Sequence, residues 1–469
     1  MKFSQSDDNY EYSLTKFESM LKTNNVQFFD SAEFEVIATH YLEMGKIALA
    51  KKGIKMGLEQ HPASVEIKLL QVEIYVLEDK LQPAEKLLDT LYQIEPTNEE
   101  IYIQKASILS KRDEHQKAID TLTIALNLVS EDEDVADIYA LIGMEYLYME
   151  QFGDAKDYFI KCLELDYEDY SSLYNIIYCF EYLELEQDAI NFLTKYLDKN
   201  PYSEVAWHQM GRQYYKTKEY EKAVSAFDFA IISDDTFAGA YLEKGKALEK
   251  MKLYREAIEN YKITLALNEP TSYAMLRIGN CYEKLKESDN AIQYYYKTVH
   301  EDPLLDKGWI AITKYYYRKK NYQKALYYIN KAIGIDSENG HYWKLYAQIN
   351  LRLNFLEEAE NGYKNTLIYG NLSLDNWLNH ADVLIQLGDF ETACTSLKEA
   401  VGFHPNTADI EYRLAGIYFS LLETDKGHFH LKNGLKLNPE LDYILTELFP
   451  MVSKMQFIKD LIAESKFKH

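Results

Sequence analysis

Apolar residues recur every three or four positions along most of this chain, which is the pattern of amphipathic helices. In the segment from Tyr322 to Ile335, one stripe carries Ala325, Leu326, Ile329, Ala332 and Ile333. A single pair of such helices cannot bury this stripe alone, so neighbouring pairs are expected to stack into one continuous core. The pattern therefore predicts an all-helical array.

A second period, of 34 residues, organises these helices. Alanine returns in one register at Ala50, Ala84 and Ala118, then after three extra residues at Ala155, Ala189, Ala223, Ala257, Ala291, Ala325, Ala359 and Ala393, and Gly427 completes the column. Twelve positions earlier lies a column of mostly small residues, from Ala38 to Ala415. Twelve positions later, proline recurs in six units and ends each one, because proline cannot continue a helix. The period predicts repeated helix pairs that pack closely.

These columns resemble the tetratricopeptide repeat, a helix-turn-helix unit of 34 residues. The fourth place of a unit carries all four tryptophans, Trp207, Trp309, Trp343 and Trp377, as in that family. The resemblance covers residues 31–441 and implies a right-handed superhelical α-solenoid of antiparallel helix pairs. We expect twelve units that begin near residues 31, 65, 99, 136, 170, 204, 238, 272, 306, 340, 374 and 408. Residues 1–30 are expected to form an N-terminal helical cap or arm, and residues 442–469 a C-terminal capping helix.

Three segments lie outside the regular pattern. We expect a short helix around Leu14 to Leu21, and a helix that begins at Pro450 and carries one apolar stripe, Met451, Met455, Ile458 and Ile462. This last helix is expected either to seal the final unit or to meet another chain. The acidic insertion from Ser130 to Asp137 lacks the glycine and the distant glutamate of a calcium loop, so we expect a solvated loop.

Composition narrows the classes of function. The 469 residues carry a formal charge of −24, which disfavours nucleic acid as a partner. No apolar stretch suggests a leader or membrane insertion, and the four separated cysteines suggest neither a zinc site nor disulfides, so we expect a cytoplasmic protein. Phosphate-binding, zinc and nucleophile motifs do not occur. We therefore expect no enzyme, no cofactor and no metal.

The family resemblance also implies where a partner binds. In this family the first helix of each unit lines a concave groove, and places 2, 5, 6, 9, 12 and 13 commonly face a bound peptide. Here those places give a ladder of polar and basic residues with one tyrosine: Arg212, Lys216, Lys246, Lys250, Arg277, Asn280, Lys284, Lys314, Tyr317, Arg318 and Arg352. Residues four apart share a helix face, so several of them form basic pairs. Either units six to ten attract anions, or these are solvated faces paired with local acids.

The distribution of charge favours the first interpretation. Residues 131–204 hold 19 acidic and 4 basic side chains, whereas residues 205–335 hold 16 acidic and 21 basic ones. In units four and five the same groove places hold Tyr148, Tyr178 and Tyr182. We therefore expect a ligand that presents acids to units six to ten and apolar or aromatic groups to units four and five.

The predicted function is a non-enzymatic scaffold or adaptor that binds an extended, acidic peptide or a partner protein in its groove. Two alternatives stay open: a regulator that responds to a signalling peptide, and a non-catalytic arm of a larger assembly. A clamp for a C-terminal carboxylate, known in this family, is matched in part by Lys344, Gln348, Asn379 and Arg413, but an acid, Asp409, occupies its remaining lysine place. The sequence does not predict the partner's identity or the oligomeric state.

Overall fold

The computed structural model describes residues 6–23, 27–129, 131–267 and 271–467. These residues form 27 α-helices and one short 3₁₀ helix, and they contain no strand. In chain order the α-helices are α1 Ser6–Thr23, α2 Ser31–Glu43, α3 Ile47–Gln60, α4 Val65–Leu77, α5 Leu81–Ile94, α6 Glu99–Lys111, α7 His115–Leu126, α8 Asp132–Tyr148, α9 Phe152–Leu165, α10 Tyr170–Tyr182, α11 Glu186–Lys199, α12 Glu204–Lys216, α13 Tyr220–Ser233, α14 Ala238–Lys250, α15 Tyr254–Ala266, α16 Thr271–Lys284, α17 Ser288–Glu301, α18 Asp306–Arg318, α19 Tyr322–Ile335, α20 Gly340–Leu353, α21 Leu356–Ile368, α22 Leu374–Leu387, α23 Phe390–Phe403, α24 Ala408–Ser420, α25 Thr424–Leu437, α26 Tyr443–Leu448 and α27 Gln456–Phe467. The 3₁₀ helix is Pro439–Asp442.

Within the array, helices pack mainly on their neighbours in sequence, as in the pairs α8 with α9 and α12 with α13. Short turns join the members of each pair, so the two helices run antiparallel. The chain divides into two compact units, residues 1–234 and residues 235–469, which are called the N-terminal half and the C-terminal half below. The prediction of an all-α solenoid is confirmed.

The column of small residues is explained by contacts inside each helix pair. A Cβ added to Gly211 would lie 2.5 Å from the ring of Phe227, and one added to Gly245 would lie 2.5 Å from the ring of Tyr261. Both rings are fully buried. A glycine on the first helix therefore makes room for an aromatic ring on the second, which brings the two backbones close together.

The turn inside each helix pair has a left-handed residue at the same register. The φ angles lie between 56° and 78° at Gly45, Asp79, Asp113, Glu150, Glu184, Lys218, Lys252, Lys286, Lys320, Asn354, Gly388 and Leu422. The residue that follows donates a backbone hydrogen bond into the last turn of the first helix, as Leu253 does to the Leu248 carbonyl at 2.9 Å. This is the arrangement that commonly ends helices, although glycine is usual there and ten of these twelve residues carry a side chain.

The acidic insertion differs from its prediction. Residue 130 lies outside the described residues, but α8 already begins at Asp132, so most of the expected loop is helix. Asp132, Glu133 and Asp134 fill the first turn of α8, where the partial positive charge of the helix N-terminus stabilises carboxylates. The prediction of a solvated loop from Ser130 to Asp137 is therefore wrong.

At the two ends of the chain, further helices cover apolar surface. Helix α1 buries Phe17 and Met20 in the same cluster as Phe34 of α2. Near the C-terminus, Pro450 and Met451 lie in turns, so the predicted helix start at Pro450 is wrong and α27 begins only at Gln456. Helix α27 nevertheless buries Ile458 against the last helix pair.

Candidate partner-binding grooves

The predicted groove residues lie on the first helices of successive pairs. Helix α8 carries Tyr148, α10 carries Tyr178 and Tyr182, α12 carries Arg212 and Lys216, α14 carries Lys246 and Lys250, α16 carries Arg277, Asn280 and Lys284, α18 carries Lys314, Tyr317 and Arg318, and α20 carries Arg352. Because the helices repeat in register, these side chains share one side of their helices. That side is called the groove face below, and each half is considered separately.

In the N-terminal half, one carboxylate binds the basic residues of α12. Lys216 Nζ lies 2.8 Å from a carboxylate oxygen of Glu181 on α10, and Arg212 lies 3.8 Å from the other oxygen. Burial tends to raise the pKa of Glu181, but hydrogen bonds from Lys216 and Gln213 outweigh it and leave the pKa below its ordinary value. This cluster ties α10 to α12.

In the C-terminal half, ion pairs also link successive first helices. Arg277 on α16 donates to Glu249 on α14 at 2.8 Å, and the hydroxyl of Tyr261 donates to the same carboxylate at 2.6 Å. Arg318 on α18 donates to Glu283 on α16. Since the Arg318 guanidinium bonds the ionised form of Glu283, it lowers the pKa of that carboxyl. These contacts hold neighbouring repeats together across the groove face.

The acidic partners were missed by reasoning from the sequence. Glu181, Glu249 and Glu283 all occupy the twelfth place of their units, so they follow the same register as the basic ladder. The alternative of basic residues paired with local acids therefore describes Arg212, Lys216, Arg277 and Arg318. A count of bases alone could not reveal this pairing.

The other ladder residues have varied surroundings. Lys246 pairs within its own helix with Glu243 at 2.7 Å, and Asn280 accepts a hydrogen bond from the Tyr295 hydroxyl at 3.0 Å. The neighbouring phenol of Tyr317 raises the pKa of Arg352. In the described part of the chain, no ion pair within 4.0 Å involves the remaining ladder lysines, which are Lys250, Lys284 and Lys314.

The groove face of the N-terminal half exposes aromatic rings instead. Tyr148 is 57% exposed, Tyr178 48% and Tyr182 59%. The ring of Phe152, which the sequence did not single out, stacks on Tyr182 with 4.1 Å between centroids and lies 6.2 Å from the ring of Tyr178. The rings of Tyr178 and Tyr182 lie 5.7 Å apart. These three rings form one exposed aromatic cluster on α9 and α10.

Three adjoining cavities run along the same face. The first, the Tyr148 cavity, has a volume of about 710 Å³ and is lined by Ile103, Ser107, Leu141, Met144 and Tyr148 among others. The second, the acidic cavity, measures about 750 Å³, and its wall includes Met144, Asn175, Asp132, Glu133, Asp137, Asp166 and Asp169. The third, the Gln209 cavity, measures about 300 Å³ and is lined by Tyr174, Asn175, Tyr178, Gln209 and Arg212. Met144 lines both of the first two cavities and Asn175 both of the last two, so the three cavities lie next to one another.

The floor of the Tyr148 cavity carries a fixed polar pair. Glu145 on α8 is buried, and one of its carboxylate oxygens lies 2.8 Å from Nδ1 of His115 on α7. The His115 ring in turn packs on Tyr148, with 5.5 Å between centroids. This pair orients the Tyr148 ring at the mouth of the cavity.

Among the residues that match the family's carboxylate clamp, Arg413 is not available to bind a ligand. Arg413 donates two hydrogen bonds to the Asp382 carboxylate, at 2.6 and 2.8 Å, and a third to the Asp409 carbonyl at 3.1 Å. Its side chain is buried. The carboxylate of Asp409, the acid that weakened the match, also lies 3.8 Å from the Arg413 guanidinium and pairs with it.

The described residues contain neither a metal-binding cluster nor a membrane-spanning helix. No group of three or more His, Cys, Asp or Glu side chains is placed to hold a metal ion in that part of the chain. Among the helices described there, none combines the length and the apolar character needed to cross a membrane.

Comparisons with known proteins agree with this repeat architecture. One family model, described as tetratricopeptide repeat, matches residues 242–305, and a second model of the same description matches residues 136–169 and 374–407. Each matched stretch coincides with consecutive helices of the array. The matched stretches are therefore tetratricopeptide repeats, and the helices between them continue the same 34-residue period.

Particular solved structures are similar over part of the chain. The crystal structure of MamA protein is 26% identical, with a TM-score of 0.32, and the match covers 36% of this chain and 92% of that chain. The C-terminal part of a repeat-containing protein from Cytophaga hutchinsonii is 17% identical over 51% of this chain and 99% of that chain, with a TM-score of 0.44. YrrB, described as a TPR protein with an unusual peptide-binding site, is 22% identical over 40% of this chain and 95% of that chain, with a TM-score of 0.30. No curated protein sequence matches this chain.

Proposed function

We propose that this protein is a non-enzymatic scaffold that holds an extended segment of a partner protein on the groove face of its N-terminal half. The observation that carries the proposal is the exposed aromatic cluster beside three adjoining cavities. Large rings are costly to leave in water, and concave sites lined by aromatic side chains are the usual places for ligands. A row of adjoining cavities suits an extended segment better than a compact ligand.

The tyrosines also contribute to the energy of recognition. Covering an exposed aromatic side chain contributes roughly 1.5–3 kcal/mol before the costs of association. Tyr148, Tyr178 and Tyr182 are each about half exposed, so each has substantial apolar area left to bury. Their hydroxyls remain available for hydrogen bonds to a peptide backbone, which suits a partner of varied sequence.

The test is affinity purification with crosslinking from cells that express the full chain. Tyr178→Ala with Tyr182→Ala should remove the partner and its crosslinks to α8, α10 and α12. The matched control, Tyr92→Ala with Tyr202→Ala, removes two exposed rings that lie off the groove face, and Tyr202 is 80% exposed. A partner that is retained by the first variant and crosslinks elsewhere would overturn the proposal.

A second candidate concerns the C-terminal half, whose groove face would take an acidic segment. Lys250 and Lys314 of the predicted ladder support this candidate, because neither forms an ion pair within 4.0 Å with any described residue. The ion pairs of Arg277 and Arg318 limit this candidate, because those guanidinium groups already have carboxylate partners. An acidic segment would therefore have to be bound mainly by the lysines.

The acidic-segment candidate has its own experiment. Lys250→Glu with Lys314→Glu should abolish low-salt binding of any acidic partner peptide, since like charges repel it. Lys297→Glu with Lys331→Glu makes the same change of charge on second helices and serves as the control. Equal binding by both variants would reject an acidic ligand for this half.

We also propose that the protein works in the cytoplasm without catalysis, cofactor or nucleic acid. All four cysteines are free and buried. Burial raises the pKa of Cys162 and that of Cys179 to about 11, so neither thiol is an activated nucleophile at neutral pH. The charge of −24 further opposes contact with phosphate backbones.

A further inference from the structure

The turns inside the helix pairs carry opposite charges in the two halves of the protein. At the left-handed position of the turn, the N-terminal half has Glu150 and Glu184, and the C-terminal half has Lys252, Lys286 and Lys320. All five side chains are exposed. These turns are called the acidic turns and the basic turns below. Turns of the same backbone conformation therefore present carboxylates in one half and ammonium groups in the other.

Neighbouring residues extend both rows of charge. Two residues before each lysine stands another cation: Lys250, Lys284 and Arg318. In the N-terminal half, Asp79 and Asp113 occupy the same turn position in units two and three, and only Lys218, in the last turn of that half, has the opposite charge. The sign of the charge thus follows the half of the protein in which the turn lies.

The conformation of the turn does not require these charges. Gly45, Asn354 and Gly388 occupy the same position, with φ angles of 68°, 62° and 78°. Glycine is the residue that this backbone region favours, and a side chain with a Cβ is strained there. Five charged side chains at a position better suited to glycine are therefore not explained by the fold of the turn itself.

Neither row is neutralised within its own half. Within the residues that the structure describes, no ion pair shorter than 4.0 Å involves any of the five charged side chains. The acids closest to the lysines in sequence, Glu249, Glu283 and Glu287, each bind an arginine instead. The charges of both rows consequently remain available to another molecule.

The two rows also have the same spacing. Glu150 and Glu184 are 34 residues apart, and so are successive lysines of the basic turns. Because the helix pairs repeat in register and their turns have the same conformation, one step along the acidic row equals one step along the basic row. Two neighbouring carboxylates of one chain can therefore meet two neighbouring lysines of another chain at the same time.

We propose that the acidic turns of the N-terminal half bind the basic turns of the C-terminal half of a second copy of this chain. The chain itself supplies both partners of this contact, since the two rows are opposite in charge, exposed and equally spaced. The contact uses the turns and leaves the groove face open. It therefore goes beyond the proposed function and adds a second interaction surface to it.

The energy of this contact comes from repetition. An exposed ion pair contributes little alone, but once one pair has formed, the next forms within the same complex. The net charge of −24 opposes association because two chains repel each other at long range. At physiological ionic strength that repulsion is screened beyond roughly 8 Å, whereas pairs that become partly buried in the contact are screened much less. Weak, specific self-association is the expected result.

Sedimentation equilibrium of the full chain at physiological ionic strength, over a range of concentrations, tests the proposal. The unmodified chain should self-associate. Lys252→Glu with Lys286→Glu should weaken this association about tenfold or more, and so should Glu150→Lys with Glu184→Lys, because like charges then face each other. The second variant lowers the net negative charge, so it would strengthen association if overall repulsion alone decided the outcome.

An equimolar mixture of these two variants is the decisive measurement. The unchanged lysines of one variant meet the unchanged acids of the other, and the two altered rows are also opposite in charge. Association in the mixture should therefore return to that of the unmodified chain. If each variant is monomeric alone and the mixture is monomeric as well, the pairing of these two rows is overturned.

Lys297→Glu with Lys331→Glu is the matched control, since it makes the same change of charge on second helices, away from the turns. This control should associate as the unmodified chain does, and an equal loss in the control would assign the effect to overall charge and overturn the inference. An unmodified chain that stays monomeric at every concentration would also overturn it. Neither result affects the groove of the N-terminal half, whose own test depends on Tyr178 and Tyr182.

Discussion

The two halves of the protein use the same helical frame for different purposes on their groove faces. In the N-terminal half, the rings of Tyr148, Tyr178 and Tyr182 face solvent beside open cavities. In the C-terminal half, Arg277 and Arg318 are bound to carboxylates of the preceding repeat. Arg318 occupies the same place of its unit as Tyr148 and Tyr182, so equivalent positions carry exposed rings in one half and an ion pair between repeats in the other.

The largest expected effect tests this contrast directly. Arg277→Met keeps most of the side-chain volume but leaves the half-buried Glu249 with only the Tyr261 hydroxyl, so we expect a loss of roughly 2–4 kcal/mol in local stability. Native-state hydrogen exchange in α14, α15 and α16 measures it. The N-terminal counterpart, Tyr178→Ala, should change stability by less than about 1 kcal/mol, because the ring is half exposed. Equal losses would remove the distinction between the two groove faces.

The packing inside the helix pairs, in contrast, should be the same in both halves. Gly211→Ala and Gly245→Ala each place a Cβ 2.5 Å from a buried ring, so each should destabilise its half by about 1–3 kcal/mol. Gly153→Ala and Gly334→Ala are the controls. Both glycines lie in helices with no atom within 4 Å of the added Cβ, so alanine should stabilise by up to about 1 kcal/mol. Hydrogen exchange of each half measures the change in the free energy of unfolding for each of the four variants. If matching substitutions stabilised one half and destabilised the other, the two halves would not share the same packing inside their helix pairs.

The left-handed turns give a smaller effect that should also be shared. Glu184→Gly in the N-terminal half and Lys286→Gly in the C-terminal half relieve the strain of a side chain at positive φ, and each should add about 1 kcal/mol. Amide hydrogen exchange of the flanking helices, measured at increasing urea concentrations, gives the gain in the free energy of unfolding. Lys297→Gly, inside α17, should instead lose about 1 kcal/mol. A loss at both turn positions would show that their side chains make stabilising contacts that outweigh the strain.

The smallest effect concerns pH, and its sign should differ between the halves. The pKa of Asp137 is raised above its ordinary 3.8, so its charge destabilises the folded protein at neutral pH, and this cost is relieved as pH falls through the raised pKa. The pKa of Glu283 is lowered below its ordinary 4.5, so its stabilising ion pair is present above that value and is lost as pH falls further.

Matched variants separate these two carboxyls. Asp137→Asn should raise the melting temperature at pH 7 and Glu283→Gln should lower it, and both differences should shrink toward zero in strong acid. Differential scanning calorimetry of both variants and the unmodified chain, at neutral and acidic pH, provides the measurement. Shifts of the same sign at pH 7 would contradict the contrast between an uncompensated and a paired carboxylate.

Local patterns were sufficient to predict most of the fold. The alanine and glycine columns arise from close contacts within one helix pair, which is why Gly211 and Gly245 could be recognised as packing positions before their aromatic partners were known. The helical start of the insertion at Asp132 could not be predicted in the same way. Taken alone, the acidic residues of the insertion are typical of a loop. They form a favourable first turn only because the apolar helix that follows places its positive N-terminus beside them.

The candidate site was predicted less completely, for two physical reasons. Glu249 and Glu283 were present in the repeat register, so the ion pairs of Arg277 and Arg318 could have been anticipated by comparing acids as well as bases between neighbouring units. The cavities could not be anticipated, because their shapes and their adjacency at Met144 and Asn175 depend on side-chain conformations in three dimensions. For the same reason the sequence gives no sign that the Gln209 amide lacks an acceptor.

The sequential packing of helices within each half, α2 to α13 and α14 to α25, has a consequence for the kinetics of folding. Because most tertiary contacts join helices that are adjacent in the chain, the contact order is low, and nucleation is able to start in any helix pair and spread to its neighbours. Local opening should likewise occur pair by pair rather than all at once. A partner segment that spans several pairs of the N-terminal groove would then couple their opening, and binding would be detected as slower exchange well beyond the contacted residues.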